Sequence, residues 1–211
     1  MQNCRILLPN PEIEKYIKLN YFEKFPKRYL KKNEICFPCN DRILIVIKGK
    51  IKIVTYKNDK EITLYYLNKN NIAFCSEENI IKAKEESELY FIPIKECINY
   101  IDNINLYNLI LKEITDKIKI ERDLIHDLAF TTCSQRAINF LTTTAEKIGK
   151  KTAKGIEVKL NCSIDEFANF LGTTRQTLST FINMLIKKNL LEKDHKTFII
   201  KDIEGLKNFK F

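Results

Sequence analysis

Five side chains in this sequence combine hydrogen-bonding chemistry with a specific spacing: Arg175, Gln176, Ser179, Thr180 and Asn183. They fall at i, i+1, i+4, i+5 and i+8, which on a helix of 3.6 residues per turn is one face. Arginine can donate two hydrogen bonds to a guanine edge, and glutamine can pair bidentately with adenine. Serine, threonine and asparagine reach bases or phosphates. A merely solvated face in this lysine-rich chain would carry Lys and Glu, yet from Thr173 to Met184 the only charged residue is Arg175. The pattern implies base reading in double-stranded DNA, with Thr174 joining the set at the helix start. Lys193, His195 and Lys196 lie in a short turn nearby, where they are candidates for sequence-independent phosphate contacts.

Other reactive residues make weaker patterns. Cys36-Phe37-Pro38-Cys39 is a C-x-x-C pair, but no second close pair completes a four-ligand metal site. Seven cysteines is an odd number, so no disulfide framework is expected. The thiols read as small buried hydrophobes. Their neighbours Lys31, Lys32 and Arg42 are offset by Glu34 and Asp41, so a strongly acidic thiol is not implied. The five glycines are too scattered for a phosphate-cradling loop. His126 and His195 sit in no catalytic motif, and Glu77-Glu78 and Glu85-Glu86 lie in polar stretches. No catalytic residue, metal or cofactor is expected, and the chain does not read as an enzyme.

The reading face needs elements to hold it. Ser163 and Glu166 form a capping box. The helix they start has Ile164, Phe167, Ala168 and Leu171 on one side. Gly172 supplies a turn, and a second helix from Arg175 buries Leu178, Phe181, Ile182 and Leu185. Two short one-faced helices joined by a glycine turn make a helix-turn-helix. Glu192–Lys196 and Thr197–Ile200 then form a hairpin, the wing. Ahead of them, Ser134–Gly149 reads as a helix, Lys150–Gly155 as a basic loop, and Ile156, Val158 and Leu160 as a strand.

Further upstream, Pro11–Leu19 reads as a short helix. Ile43–Lys48, Ile51–Thr55, Glu61–Leu67 and Leu89–Ile92 alternate as strands, with turns at Gly49, Asn58-Asp59 and Asn68–Asn71. Asn103–Ala129 has no Pro or Gly and reads as one long helix with two apolar lines. Leu106, Ile110, Ile120 and Leu124 face the chain's own strands. Leu111, Ile114, Ile118, Ile125 and Leu128 follow a 4-3 spacing, interrupted by Glu121, that suits a twin helix in a homodimer. The fold class is α+β: a double-stranded β-roll over 1–102, a dimerisation helix over 103–130, and a winged helix-turn-helix over 131–211.

Charge agrees with this division. The net charge is +9, and the segment from Thr131 holds 14 basic and 8 acidic residues, against 22 and 19 before it. The excess per residue is larger in the part that would meet a polyanion. No apolar run approaches the roughly 18 residues that span a bilayer, and Met1–Tyr16 does not read as a signal peptide. No membrane partner is expected, and the protein is placed in the cytoplasm.

The order of elements resembles the catabolite-activator and fumarate–nitrate-regulator (Crp/Fnr) family. Ile45-Val46-Ile47-Lys48-Gly49-Lys50-Ile51, Asp127-Leu128-Ala129-Phe130 and Gly172-Thr173-Thr174-Arg175-Gln176-Thr177-Leu178 carry the likeness. The resemblance implies a homodimer on two-fold symmetric DNA that recruits or blocks RNA polymerase. The family's arginine, glutamate and arginine readers fall on Arg175, Gln176 and Thr180, so base preference should differ. Where nucleotide-binding members carry Gly-Glu, this chain has Phe74-Cys75. No arginine lies between Arg42 and Arg122 to pair a cyclic phosphate. Cys4, Cys36 and Cys39 do not reproduce the cysteine cluster of the iron–sulfur members. The small-molecule effector is left unidentified. Two alternatives stand beside this reading: a redox- or metal-sensing regulator using Cys36 and Cys39, and a β-roll ligand-binding module whose C-terminal domain binds protein instead of DNA.

Overall fold

A computed structural model of the chain describes residues 5, 7, 9–38, 40–58, 60–100, 103–160 and 162–209, the side chains of 98–100 excepted. Cys4, Cys39 and Asp59 therefore lie outside the described residues. The chain divides into two compact units, and the division falls between Leu124 and Ile125, inside the long helix.

The first unit opens with α1 (Pro11–Lys18). The Asn10 side chain accepts from the Glu12 amide, and Pro11 takes the first position, where no amide partner is needed. Eight strands follow: β1 (Lys27–Leu30), β2 (Ile35–Cys36), β3 (Arg42–Lys48), β4 (Ile51–Lys57), β5 (Lys60–Leu67), β6 (Ile72–Cys75), β7 (Asn79–Ala83) and β8 (Ser87–Pro93). They form two antiparallel sheets, ordered β1-β8-β3-β6 and β2-β7-β4-β5. Strand β3 explains its own unbroken apolar run. Leu44 and Val46 enter the core between the sheets, while Ile43 and Ile45 enter a second core with Phe22, Tyr90, Leu106 and Ile110. A strand buried on both faces cannot alternate apolar with polar.

Strands β1, β2, β6 and β7 and the helix α2 (Ile94–Tyr100) were not expected from the sequence. The four strands span two to five residues, and none alternates apolar with polar along its length. Cys36 closes β2 and is buried. On the first sheet's partner, Glu61 of β5 accepts from both Lys52 and Lys82. Burial alone would raise the Glu61 carboxyl, but these two ammonium groups hold it below its ordinary value.

The second unit contains α4 (Cys133–Ile148), β9 (Lys150–Thr152), β10 (Gly155–Lys159), α5 (Ile164–Leu171), α6 (Arg175–Lys187), β11 (Leu191–Asp194), β12 (Thr197–Ile200) and α7 (Ile203–Lys207). Its sheet runs β11-β12-β10-β9. The expected basic loop at Lys150–Gly155 is instead a strand and a tight turn, closed by the Thr152 hydroxyl donating to the Gly155 carbonyl. All three β9 residues are exposed, so this edge strand has no buried face to produce alternation. The core is aromatic: the Phe140 ring lies 5.0 Å from Phe167 and 5.2 Å from Phe170, and Phe167 lies 6.0 Å from Phe198.

In sequence the two groups of elements are joined by α3 (Ile104–Phe130), started by the Asn103 side chain accepting from the Leu106 amide. Of the expected inner line, Leu106, Ile110 and Leu124 are buried and Ile120 is half-buried against the roll core, while Leu109, not expected there, is buried beside them. The same line also buries Glu113 and Lys117, which pair with each other, while Asn10 Nδ2 donates to Glu113 at 2.8 Å. Spaced i, i+4, such a pair looks in sequence like an ordinary solvated one. Glu121, which interrupts the outer apolar line, accepts from the Tyr65 hydroxyl of the roll. Burial, followed by the nearby Cys75 and Glu121, pushes that hydroxyl well above its ordinary pKa.

Burial raises the Glu121 carboxyl, and the Tyr65 hydrogen bond only partly offsets this. A carboxyl with a raised folded pKa costs stability as pH climbs from the unfolded pKa through the folded one; below both it costs nothing. Glu121→Gln removes the charge and keeps an acceptor for Tyr65. Thermal unfolding across pH should therefore show the variant matching wild type in acid and melting higher at neutral pH. A gap independent of pH would contradict the assignment.

Candidate nucleic-acid interface

The reading elements are built from local rules. The Ser163 hydroxyl accepts from the Glu166 amide at 3.1 Å, and the Glu166 carboxylate accepts from the Ser163 amide at 3.0 Å, which completes the capping box of α5. The helix ends at Gly172, which is left-handed at φ 65°, ψ 43°. A Cβ built there would stand 2.5 Å from Leu128 Cδ2, so the left-handed angle strains any side chain and the Leu128 methyl must shift to admit one. Thr174 then caps α6: its hydroxyl accepts from the Thr177 amide at 3.2 Å and lies 2.8 Å from the Thr177 hydroxyl.

The faces of α6 separate as its spacing requires. Leu178, Phe181, Ile182 and Leu185 are buried. Arg175, Gln176, Thr180 and Asn183 are exposed, and Ser179 is half-buried beside them. The structure thus brings five of the candidate readers onto one open face. Thr174 is exposed too, but its hydroxyl is already engaged in the cap.

The wing is the β11–β12 hairpin. His195 and Lys196 are exposed at its tip and Lys193 is half-buried on β11. His195 holds φ 47°, a left-handed turn position. Its imidazole lies 3.8 Å from the Asp194 carboxylate, a contact that is ionic only when the ring is protonated.

The candidate seam residues on α3 do not all behave alike. Leu111, Ile118 and Ile125 are exposed, and Ile104, one heptad earlier, extends the row; the four are between 45% and 67% exposed. The seven-residue spacing back from Leu111 already signals Ile104. Ile114, by contrast, packs partly against the roll's own core. Leu128 sits against Gly172. Sequence reasoning also missed Arg136, whose guanidinium reaches three backbone carbonyls. Nothing in Ser134-Gln135-Arg136 signals this, because the acceptors are main-chain carbonyls, which no side-chain pattern marks.

Among the described residues no three His, Cys, Asp or Glu side chains gather as a metal site, and no helix is long and apolar enough to cross a membrane. Cys36 and Cys75 are buried in the roll core. Burial, then the nearby Glu121 and Cys36, pushes the Cys75 thiol up to about 12.

A two-sheet roll, a long helix and a winged helix-turn-helix with an open polar reading face together define a DNA-binding transcription regulator. Comparison with known proteins agrees. Residues 135–209 match the Crp-like helix-turn-helix domain. The chain is 25% identical to Electron transport regulator A of Shewanella oneidensis, over 83% of this chain and 75% of that protein. It is 24% identical to the fumarate and nitrate reduction regulatory protein of Yersinia pestis, over 85% and 76%. A solved mutant of CooA from Carboxydothermus hydrogenoformans superposes with a TM-score of 0.76 at 27% identity, covering 89% of this chain and 88% of that one. Residues 135–209 are thus a Crp-like helix-turn-helix domain, and over most of its length the chain is similar to transcription regulators of the Crp/Fnr kind.

The turn glycine carries a direct test. Gly172→Ala should cost about 1–3 kcal/mol of stability, from a left-handed angle forced on an L-residue and from the Leu128 clash. Adding Leu128→Ala opens room for the new methyl, so in urea denaturation the double variant should lose less than the two single losses combined. Simple additivity would mean that the two residues do not touch.

Proposed function

We propose that this regulator works as a homodimer whose two α3 helices pair through Leu111, Ile118 and Ile125, with Ile104 extending the seam and Ile114 and Leu128 at its margin. Each α6 enters a major groove by its N-terminal turns. Arg175 and Gln176 read base edges there, and Ser179, Thr180 and Asn183 extend the reading face. Lys193, His195 and Lys196 of the wing, with Thr174 at the helix start, meet phosphates and set register without reading sequence. The single observation that carries this is the open face of α6: polar, two-pronged and free of acid, over a face that is fully apolar and buried.

The parts divide by task into a roll over 1–102, a dimerisation helix over 103–130 and a reading domain over 131–211. Its output passes through RNA polymerase, in the cytoplasm. The chain performs no catalysis of its own. The roll does not serve a cyclic nucleotide. Cys75, at the place of the family's Gly-Glu pair, is buried in an interior that Tyr65 and Glu121 also occupy. The thiols there do not act as sensors, because burial disfavours the reactive thiolate. The effector, if the roll takes one, is of another chemistry.

Arg175→Ala should weaken binding to the cognate site by about 1–3 kcal/mol while leaving binding to random DNA nearly unchanged. Competition titrations at fixed salt measure both, and equal losses on the two DNAs would remove Arg175 from base reading.

Ile118→Lys would set two ammonium groups against each other in the middle of the seam. Sedimentation at micromolar protein should then give a monomer where wild type gives a dimer. An unchanged dimer would place the interface elsewhere.

A further inference from the structure

The reading helix is held to the rest of its unit by a small clamp that the base-reading account does not use. Helix α3 ends at Phe130, and both the amide and the hydroxyl of Thr131 bond back to the Asp127 carbonyl, at 3.1 and 2.6 Å. Helix α5 ends at Leu171. Both ends present carbonyls without intrahelical partners, and both carry the negative end of a helix dipole. Arg136, in the first turn of α4, faces the two at once. Its Nε donates to the Leu171 carbonyl at 2.8 Å, and its Nη1 donates to the carbonyls of Thr131 at 2.6 Å and Asp127 at 3.2 Å. A planar fork with fixed donors can span two helix ends in this way, whereas a lysine ammonium is a point charge that satisfies one end. The next residue after Leu171 is Gly172, whose α-carbon lies against Leu128 in the last turns of α3. One polar and one apolar contact therefore fix the α5–α6 turn to the end of α3.

We infer that Arg136 is a positioning residue for DNA recognition: by tying the C-terminus of α5 to that of α3 it fixes the direction of α6, and with it the half-site spacing that a dimer accepts. The residue touches no base. It acts through Leu171, Gly172 and the turn into α6. This inference rests on the proposed dimer and on α6 as the reader. In a two-fold complex the separation of the two reading helices must match the DNA half-site spacing. A clamp at each α3 end makes that separation stiff, and loosening it lets each reader adjust independently.

The test uses the full chain, wild type and Arg136→Lys, with Arg136→Gln as a second variant should the lysine form not fold. Affinity is measured for the cognate two-fold site, for the same site with one or two base pairs added between half-sites, and for a single half-site. Wild type should lose about ten-fold or more on the respaced sites, as a rigid dimer must. The variant should lose no more than about three-fold on them, with half-site affinity close to wild type. A variant that keeps the wild-type spacing dependence overturns the positioning role. So does one that weakens all three DNAs equally, because loss of fold alone predicts that pattern. Wild type without any spacing preference would instead refute the dimer reading, and the positioning role would fall with it.

Discussion

A 27-residue helix with apolar side chains on two faces must cover both, and much of this protein follows from that demand. The inner line of α3 closes one side of the roll, through Leu106, Ile110 and Leu124. The outer row, Ile104, Leu111, Ile118 and Ile125, repeats every seven residues and stays exposed among the described residues. Each such side chain gains about 1.5–3 kcal/mol when taken out of water completely. A second copy of the same helix presents the same row at the same spacing, so self-pairing answers the demand with no new chemistry. On the proposed pairing each dimer carries two copies of α6, and a two-fold site becomes the natural target.

The inner face of α3 shows how the roll is filled. Glu113 with Lys117, and Glu121 with Tyr65, place polar pairs where a wholly apolar face would pack. The Glu113 and Lys117 charges match each other, as burial requires, while Glu121 has only the neutral Tyr65 hydroxyl. The Tyr65–Glu121 bond joins the roll's interior to the very position that breaks the outer apolar line. A residue that looks in sequence like a flaw in an apolar line is therefore a contact of the roll, and the exposed apolar row continues past it from Ile118 to Ile125.

How much of this was legible in the sequence depended on whether a residue's role is set by its near neighbours. Helix α6 was legible because Leu178, Phe181, Ile182 and Leu185 keep a strict helical period, with Arg175 the lone charge from Thr173 to Met184. The capping box at Ser163 and Glu166 and the turn at Gly172 obey rules a few residues long. Strands β3, β4 and β5 announced themselves through alternation or length. Strands β1, β2, β6, β7 and β9 did not: β2 has two residues, β1 and β9 bury one residue and none, β6 is buried at three of four positions, and β7 has polar Asn79 and Lys82 among its apolar residues. The buried Glu113–Lys117 pair was invisible because its spacing is that of a surface pair. Arg136 was invisible for a different reason: its partners are main-chain carbonyls, which every residue has, so no pattern of side chains marks them. Ile114 and Leu128 fit the heptad but are drawn inward by the roll core and by Gly172, contacts that only the folded chain defines.

The central claim is that two copies of α6 read DNA as a symmetric pair. Selection of bound duplexes from a random pool by the purified full-length protein tests it most directly. The account predicts enrichment of an inverted repeat whose two half-sites lie about one helical turn, or a multiple of it, apart. Enrichment of a single unpaired half-site, or of no sequence at all, would contradict it.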